Sequence, residues 1–201
     1  MKHENHNRGG RPKSFERDKV LDAAVLVFWK KGYEGASLDD LTGAMGINRP
    51  SLYSTFGNKR DLFLAALDRY TAVQGSAQSA PLHTEPTIRA AIAGFYREII
   101  RTVSTQNGPC GCLIASVASE VAERDRKVRE KIANNHERAE SFLKERFQTA
   151  GIENPALMAS IVLSAGMSLA QRSRLGVPRE RLLEIADGYV AHFLPNMPKT
   201  N

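Results

Sequence analysis

SLDDLTGAMGINRPSLYSTFGNKR, residues 37–60, is the stretch on which the reading of the whole chain turns. Ser37 precedes Leu38, Leu41 and Met45, which fall at helical spacing, and Asp40 follows it by three positions. A hydroxyl at the N-cap and an acidic residue at the third helical position make a capping box, each satisfying a free backbone N–H of the other. Gly46 can take the left-handed conformation that ends a helix. Asn48 then caps a second short helix, from Arg49 to Phe56, with Pro50 in its first turn, where a missing N–H leaves nothing unpaired. Leu52 and Phe56 face inward, Gly57 closes the helix, and Asn58 caps the next one. The pattern is a helix–turn–helix followed at once by a basic helix start.

The outer face of the second helix carries Arg49, Ser51, Tyr53 and Thr55. Arg49 can grip guanine with two hydrogen bonds, Ser51 and Thr55 can reach bases or phosphates, and Tyr53 suits a phosphate. Lys59 and Arg60 stand where cations oppose the helix dipole, and a phosphate on that helix N-terminus would account for them.

The segment LTGAMGINRPSLYSTFGNKRDLF, Leu41 to Phe63, resembles the TetR family of transcriptional regulators. Gly46, Leu52, Tyr53, Phe56, Lys59 and Leu62 stand where the family pattern has them. Upstream, VLDAAVLVFWKKGYEGASLDDL, Val20 to Leu41, resembles the family's first helix, its Gly-Tyr exit and the start of the second helix. Thr42 and Met45 replace the alanines common in the family, at interior packing positions. The resemblance implies an all-α homodimer of about nine helices per chain. An N-terminal three-helix DNA-binding domain is followed by a larger helical domain for effector binding and dimerisation. The resemblance further implies a palindromic double-stranded DNA operator, released when a small molecule re-spaces the two recognition helices, with repression the family's common mode. Arg49, Pro50, Ser51 and Thr55 would meet bases, and Ser37, Tyr53 and Lys59 phosphates. Arg11 and Lys13 lie in a Gly-Arg-Pro-Lys that resembles the family's short basic lead-in.

The rest of the chain agrees with a helical protein. It has 201 residues, 42% of them hydrophobic, and a formal charge of +6, which suits a polyanionic partner. Residues 1–14 read as a flexible basic arm, a candidate for the minor groove or phosphates. The first helix is expected over Phe15–Lys31 and the fourth from Lys59 to about Val73. GSAQSAPLHTEP, Gly75–Pro86, reads as a linker, which divides the chain into a DNA-binding domain over 15–74 and an effector and dimerisation domain over 75–201. Further helices are expected over Thr87–Ser104, Cys112–Glu123, Arg126–Thr149, Pro155–Leu175 and Pro178–Leu194. The small residues Ser160, Ser164, Gly166 and Ala170 in the first of the last pair permit close helix approach. That pair is read as the dimer surface, a four-helix bundle about a two-fold axis.

Cys110 and Cys112 are the only cysteines. They are read first as structural, Cys112 a small buried apolar residue and Cys110 a loop residue. The second reading is an electrophile or redox sensor, because a thiol near a helix N-terminus is acidified by the dipole. Phe95, Tyr96, Phe142, Phe147 and Met167 are candidate lining residues for an apolar effector pocket. Two cysteines one residue apart, with no nearby histidine, fall short of metal-ligand spacing, so no metal or cofactor is expected. No phosphate loop, nucleophile elbow or metalloprotease motif suggests an enzyme. No apolar run reaches a membrane span and the first residues lack a signal-peptide core, so a cytoplasmic location is expected. Two alternatives stand beside the regulator: a nonspecific architectural DNA-binding protein, and a ligand-binding protein or enzyme that has lost DNA binding.

Overall fold

The computed structural model describes residues 13–104 and 109–194, with side chains from residue 17 onward. Arg11 lies outside the described residues, and Lys13 opens the first helix with its side chain outside them. The described elements are helical: α1 (Lys13–Gly35), α2 (Leu38–Met45), α3 (Arg49–Phe56), α4 (Lys59–Thr84), α5 (Ile88–Val103), a π-turn (Ile114–Ala118), α6 (Ser119–Arg124), α7 (Arg126–Thr149), α8 (Pro155–Arg174) and α9 (Arg179–Phe193).

The caps expected over residues 37–60 are present. Ser37 Oγ accepts from Asp40 N at 3.0 Å, and Asp40 Oδ2 accepts from Ser37 N at 3.1 Å. Asn48 Oδ1 accepts from Ser51 N at 2.9 Å, and Asn58 Oδ1 from Asp61 N at 3.0 Å. Gly46 is left-handed, with φ 65° and ψ 29°, and so turns α2 into α3. Inside α1, Gly32 interrupts the helix at φ 73°, ψ 171°. Tyr33 thereby folds back, its ring 6.1 Å from Phe28 and 5.0 Å from Phe63.

Two buried cores form. The first joins Phe28, Leu41, Leu52, Leu62, Phe63 and Tyr70 from α1–α4 to Leu113, Val117 and Ala118 at the π-turn and Val128 of α7. The second gathers Leu82 of α4, the inner stripe of α5, Leu143 and Phe147 of α7, and the inner faces of α8 and α9. Cys112 packs against both.

The linker expected over Gly75–Pro86 is instead helix through Thr84, and the proposed division at 74/75 cuts through the middle of α4. The small and polar residues there are accommodated because this half of α4 lies along α5. Leu82 is anchored in the second core. Gly94 of α5 lies so close that an added Cβ would sit 2.5 Å from Pro81 Cβ. Chain reversal comes only at Glu85, the residue before Pro86, which proline disfavours from helical geometry. The sixth helical segment also differs in detail: residues 114–118 are wound as a π-turn, with Ser119 Oγ bonded to Ile114 O at 3.0 Å.

Gly94→Ala should therefore lower unfolding stability by about 1–3 kcal/mol through overpacking against Pro81. Gly43→Ala, in α2 where a Cβ meets nothing within 4 Å, should raise it by roughly 0.5–1 kcal/mol. Urea titrations of the two variants check both signs.

Candidate nucleic-acid interface and the cavity behind it

α3 has eight residues and is therefore about 12 Å long, matched to the width of a major groove. Leu52 and Phe56 pin it to the first core. Arg49, Pro50, Tyr53 and Thr55 are exposed, and Ser51 is half-buried. Tyr53 keeps 51% of its surface in water, unusual for a large ring without a partner. Arg49 is held by Asp39 of α2, with Nε and Nη2 at 3.1 and 2.8 Å from Oδ1. Both side chains are more than half exposed, so the pair orients Arg49 while contributing little stability. Ser37 is exposed at the start of α2, its hydroxyl donating to Asp40 Oδ2 at 2.8 Å. Lys31 and Ser37 together hold the Asp40 carboxyl down at about 2.

Behind this face, Lys59 is not idle at the start of α4. Its Nζ sits 4.7 Å from the centre of the Tyr33 ring and 3.5 Å from Glu34 O. A cation over an aromatic face offsets part of the unfavourable dipole position. Arg60 reaches out of the DNA-binding helices altogether. Its Nη2 donates to Asp125 Oδ1 at 2.7 Å and its Nε to Asp125 Oδ2. Asp125 is also the N-cap of α7, accepting from Lys127 N and Val128 N. Farther along the same seam, Lys131 pairs with Asp68, and Asn135 Nδ2 donates to Thr71 Oγ1 at 3.2 Å. α4 and α7 are thus joined by a polar ladder, α4 and α1 by Arg69 with Asp18 and Asp22.

The ladder ends at a partly open cavity of about 190 Å³ lined by α4, the π-turn, α7 and α8. Cys112 and Met167 line it, as do Tyr70, Gln74, Asn135 and Leu163. The aromatic candidates lie elsewhere. Phe95, Tyr96 and Phe147 are buried in the second core, where their rings fill the space between helices. Phe142 is half-buried against His83, 4.8 Å between ring centres, beside a surface depression on α7. Cys110 is exposed on the other side of Gly111, whose φ of 83° turns the chain between the two thiols.

Residues 20–66 match the family model "Bacterial regulatory proteins, tetR family", and residues 89–171 match "Transcriptional regulator LmrA/YxaF-like, C-terminal domain". The chain is 30% identical to the HTH-type transcriptional repressor ComR of Escherichia coli K12, over 94% of both proteins. The chain belongs to the TetR family of bacterial regulatory proteins. A solved structure of the TetR-family regulator CifR, a cysteine mutant on 26-bp double-strand operator DNA, superposes with a TM-score of 0.80. It is 31% identical and spans 94% of this chain and 100% of that one. YezE of Bacillus subtilis is 37% identical over 58% of this chain and 60% of its own length. The protein is thus a DNA-binding transcriptional regulator. Among the described residues no helix is long and apolar enough to cross a membrane.

Two pairings in this regulator's working parts gave no signal in the sequence. Arg60 and Asp125 are 65 residues apart, and Tyr70 and Cys112 are 42 apart. The acidic-then-basic start of α7 at Asp125 is a visible cap signal, but its partner on α4 is not.

Arg60 and two backbone N–H groups hold the Asp125 carboxyl at about 2, below its usual 3.8. Its stabilising contribution is therefore complete above about pH 4 and is lost as pH falls through 2. Asp125→Ala should destabilise the protein by about 1–2 kcal/mol near neutrality, mostly as a lost cap. That difference should shrink towards zero between pH 4 and pH 2, as read by denaturant unfolding at each pH.

Proposed function

We propose that this TetR-family regulator is a dimeric repressor that reads a palindromic operator with α3 and leaves it when a small molecule occupies the α4–α7–α8 cavity. The observation that carries the reading is the exposed face of α3, with Arg49, Tyr53 and Thr55 presented on a helix braced from behind. Arg49, Pro50, Ser51 and Thr55 are assigned to bases, and Ser37, Tyr53 and Lys59 to phosphates. Arg11 and Lys13 are assigned to the basic lead-in on the same DNA. ComR, similar over nearly the whole chain, is named a repressor, and CifR was solved on operator DNA.

Dimerisation is supported by α8. Leu157 and Leu175 are 60% and 74% exposed, and eighteen residues separate them, five turns of helix. They therefore lie on one line, with the small residues Ser164 and Ser168 between them. A large apolar side chain at each end of a small-residue stripe suits a second helix laid alongside. Two copies of α3 one helical turn of DNA apart would then read a palindrome.

A second reading of the effector has its own observation. Cys112 lines the cavity and Cys110 is exposed, so the two thiols separate a pocket-borne electrophile from a bulk-phase oxidant. A quinone entering the cavity would add to Cys112, the sulfur–carbon bond forming as a ring double bond breaks, with the thiol proton and the hydrogen of the attacked ring carbon passing to the two quinone oxygens to leave a hydroquinone thioether.

Electrophoretic shifts on the gene's own upstream DNA test the assignment. Arg49→Ala should reduce affinity by about 1–3 kcal/mol and relax specificity at one position. Lys59→Ala should weaken all sequences alike and lower the salt slope by about 0.9. Unchanged affinity in both variants would remove α3 and α4 from the interface, and equal affinity for random duplex would favour an architectural protein. If 1,4-benzoquinone releases the DNA, Cys112→Ser should abolish release and Cys110→Ser should not.

A further inference from the structure

The cavity says what kind of molecule it can hold. At about 190 Å³ it is somewhat larger than an apolar cavity of about 150 Å³ that accommodates benzene. One ring with a single substituent is the natural occupant. None of its lining residues is Lys, Arg, Asp or Glu. An ion entering it would give up part of its hydration and find no fixed counter-charge, which disfavours it relative to a neutral ring. His136 on the α7 wall is the one lining side chain that can carry a positive charge.

The polar groups favour an acceptor on the ligand. Gln74 Oε1 already accepts from Thr102 Oγ1 at 3.2 Å, which leaves the amide nitrogen as its donating end. Tyr70 lines the cavity and is almost fully buried. Burial, reinforced by Cys112, pushes its hydroxyl far above the ordinary value, so it remains a protonated donor. That donor is given to Cys112 Sγ at 3.5 Å. Sulfur is a weak acceptor, and a carbonyl oxygen would displace it.

Tyr70 also touches the DNA-binding core directly. Its ring meets Trp29 of α1 edge-on, with centres 5.1 Å apart and planes at 84°. Trp29 is the only tryptophan, and its buried Nε1 has no hydrogen-bond partner among the described residues. A shift of the Tyr70 ring alters the packing of α1 against α4 and the surroundings of a single fluorophore.

We infer that this regulator's cavity binds an uncharged, single-ring molecule bearing a carbonyl-type acceptor oxygen, that Tyr70 transfers its hydroxyl from Cys112 to that oxygen, and that Trp29 receives the resulting displacement. The inference rests on the regulatory reading above and supplies its ligand class and relay. Benzamide, benzoate and benzamidine share a ring and differ in charge, so they are the probes. Each is titrated at millimolar concentration into the DNA-free full-length protein, with calorimetry and Trp29 emission as readouts. Benzamide should bind saturably and change the emission, and both ions should bind at least tenfold more weakly. Tyr70→Phe, which keeps the ring, should weaken benzamide at least fivefold and remove the emission change. Gly75→Leu should abolish binding with helix content intact, because Gly75 lines the cavity and an added Cβ there meets open space.

Benzoate or benzamidine binding as tightly as benzamide would overturn the ligand class. No saturable binding of any probe would overturn the site. Benzamide binding unaltered in Tyr70→Phe would overturn the relay. None of these titrations contains DNA, so loss of operator binding in the shift assay would leave them standing, and their failure would leave operator binding standing.

Discussion

The passage of α4 through both cores is the constraint on which the other features hang. Leu62, Phe63, Ala66, Leu67 and Tyr70 are buried in the first core, and Leu82, about three to six turns later, is buried in the second. Each buried Leu or Phe among them contributes about 1.5–3 kcal/mol, so neither end can leave its core cheaply. A helix between two anchors resists a sharp bend, because a kink interrupts its backbone hydrogen bonds. On the regulatory reading proposed above, a displacement at the cavity, where α4 presents Tyr70 and Gln74, would be carried along the helix to Lys59 and Arg60 beside the recognition helix. Arg69 with Asp18 and Asp22, and Arg60 with Asp125, fasten this helix to α1 and to the start of α7.

The second structural commitment is the turn around Cys112. Residues 113–118 are late in the chain, yet Leu113, Val117 and Ala118 complete the DNA-binding core. π-turns are common at functional sites because the widened turn re-aims side chains. Just upstream, the same segment is fastened to α8: Ser173 Oγ donates to Val103 O at 2.7 Å, and Gly111 N donates to Val103 O at 3.1 Å. A Cβ at Gly111 would lie 3.0 Å from Arg174 Cβ. The helix proposed to pair across the dimer, the cavity wall and the DNA-binding core thus meet within a few residues, Leu113 only two beyond Gly111.

Misreadings of the chain have a common origin. Gly75, Ser76, Ser79 and Pro81 have the composition of a loop, but composition reports only local preference. Contact with Gly94 and burial of Leu82 outweigh it, and the helix continues to the residue before Pro86. Phe95, Tyr96 and Phe147 have the character of pocket residues, yet large rings at helical spacing are as well suited to filling a core, and here they do. Of the pocket candidates, Met167 and Cys112 face the cavity, the first a residue on an exposed edge of α8 and the second at a helix start. Lys59 was legible as a misplaced cation, but Tyr33 as its intramolecular partner was not.

By itself, the sequence determined the helices of the DNA-binding part, their caps and the outward face of α3. Those features depend on groups within about four residues of one another: Ser37 with Asp40, Asn48 with Ser51, Asn58 with Asp61, Leu52 with Phe56. It also determined α7 and the buried stripe of α5, because a helical period is written in consecutive residues. Packing between distant segments is what makes α4 continuous, sets Arg60 against Asp125, and brings Tyr70 into contact with both Trp29 and Cys112. Only the tertiary structure decided where the cavity lies, because a cavity is the volume left when side chains from distant segments have finished packing, and no local pattern encodes that remainder.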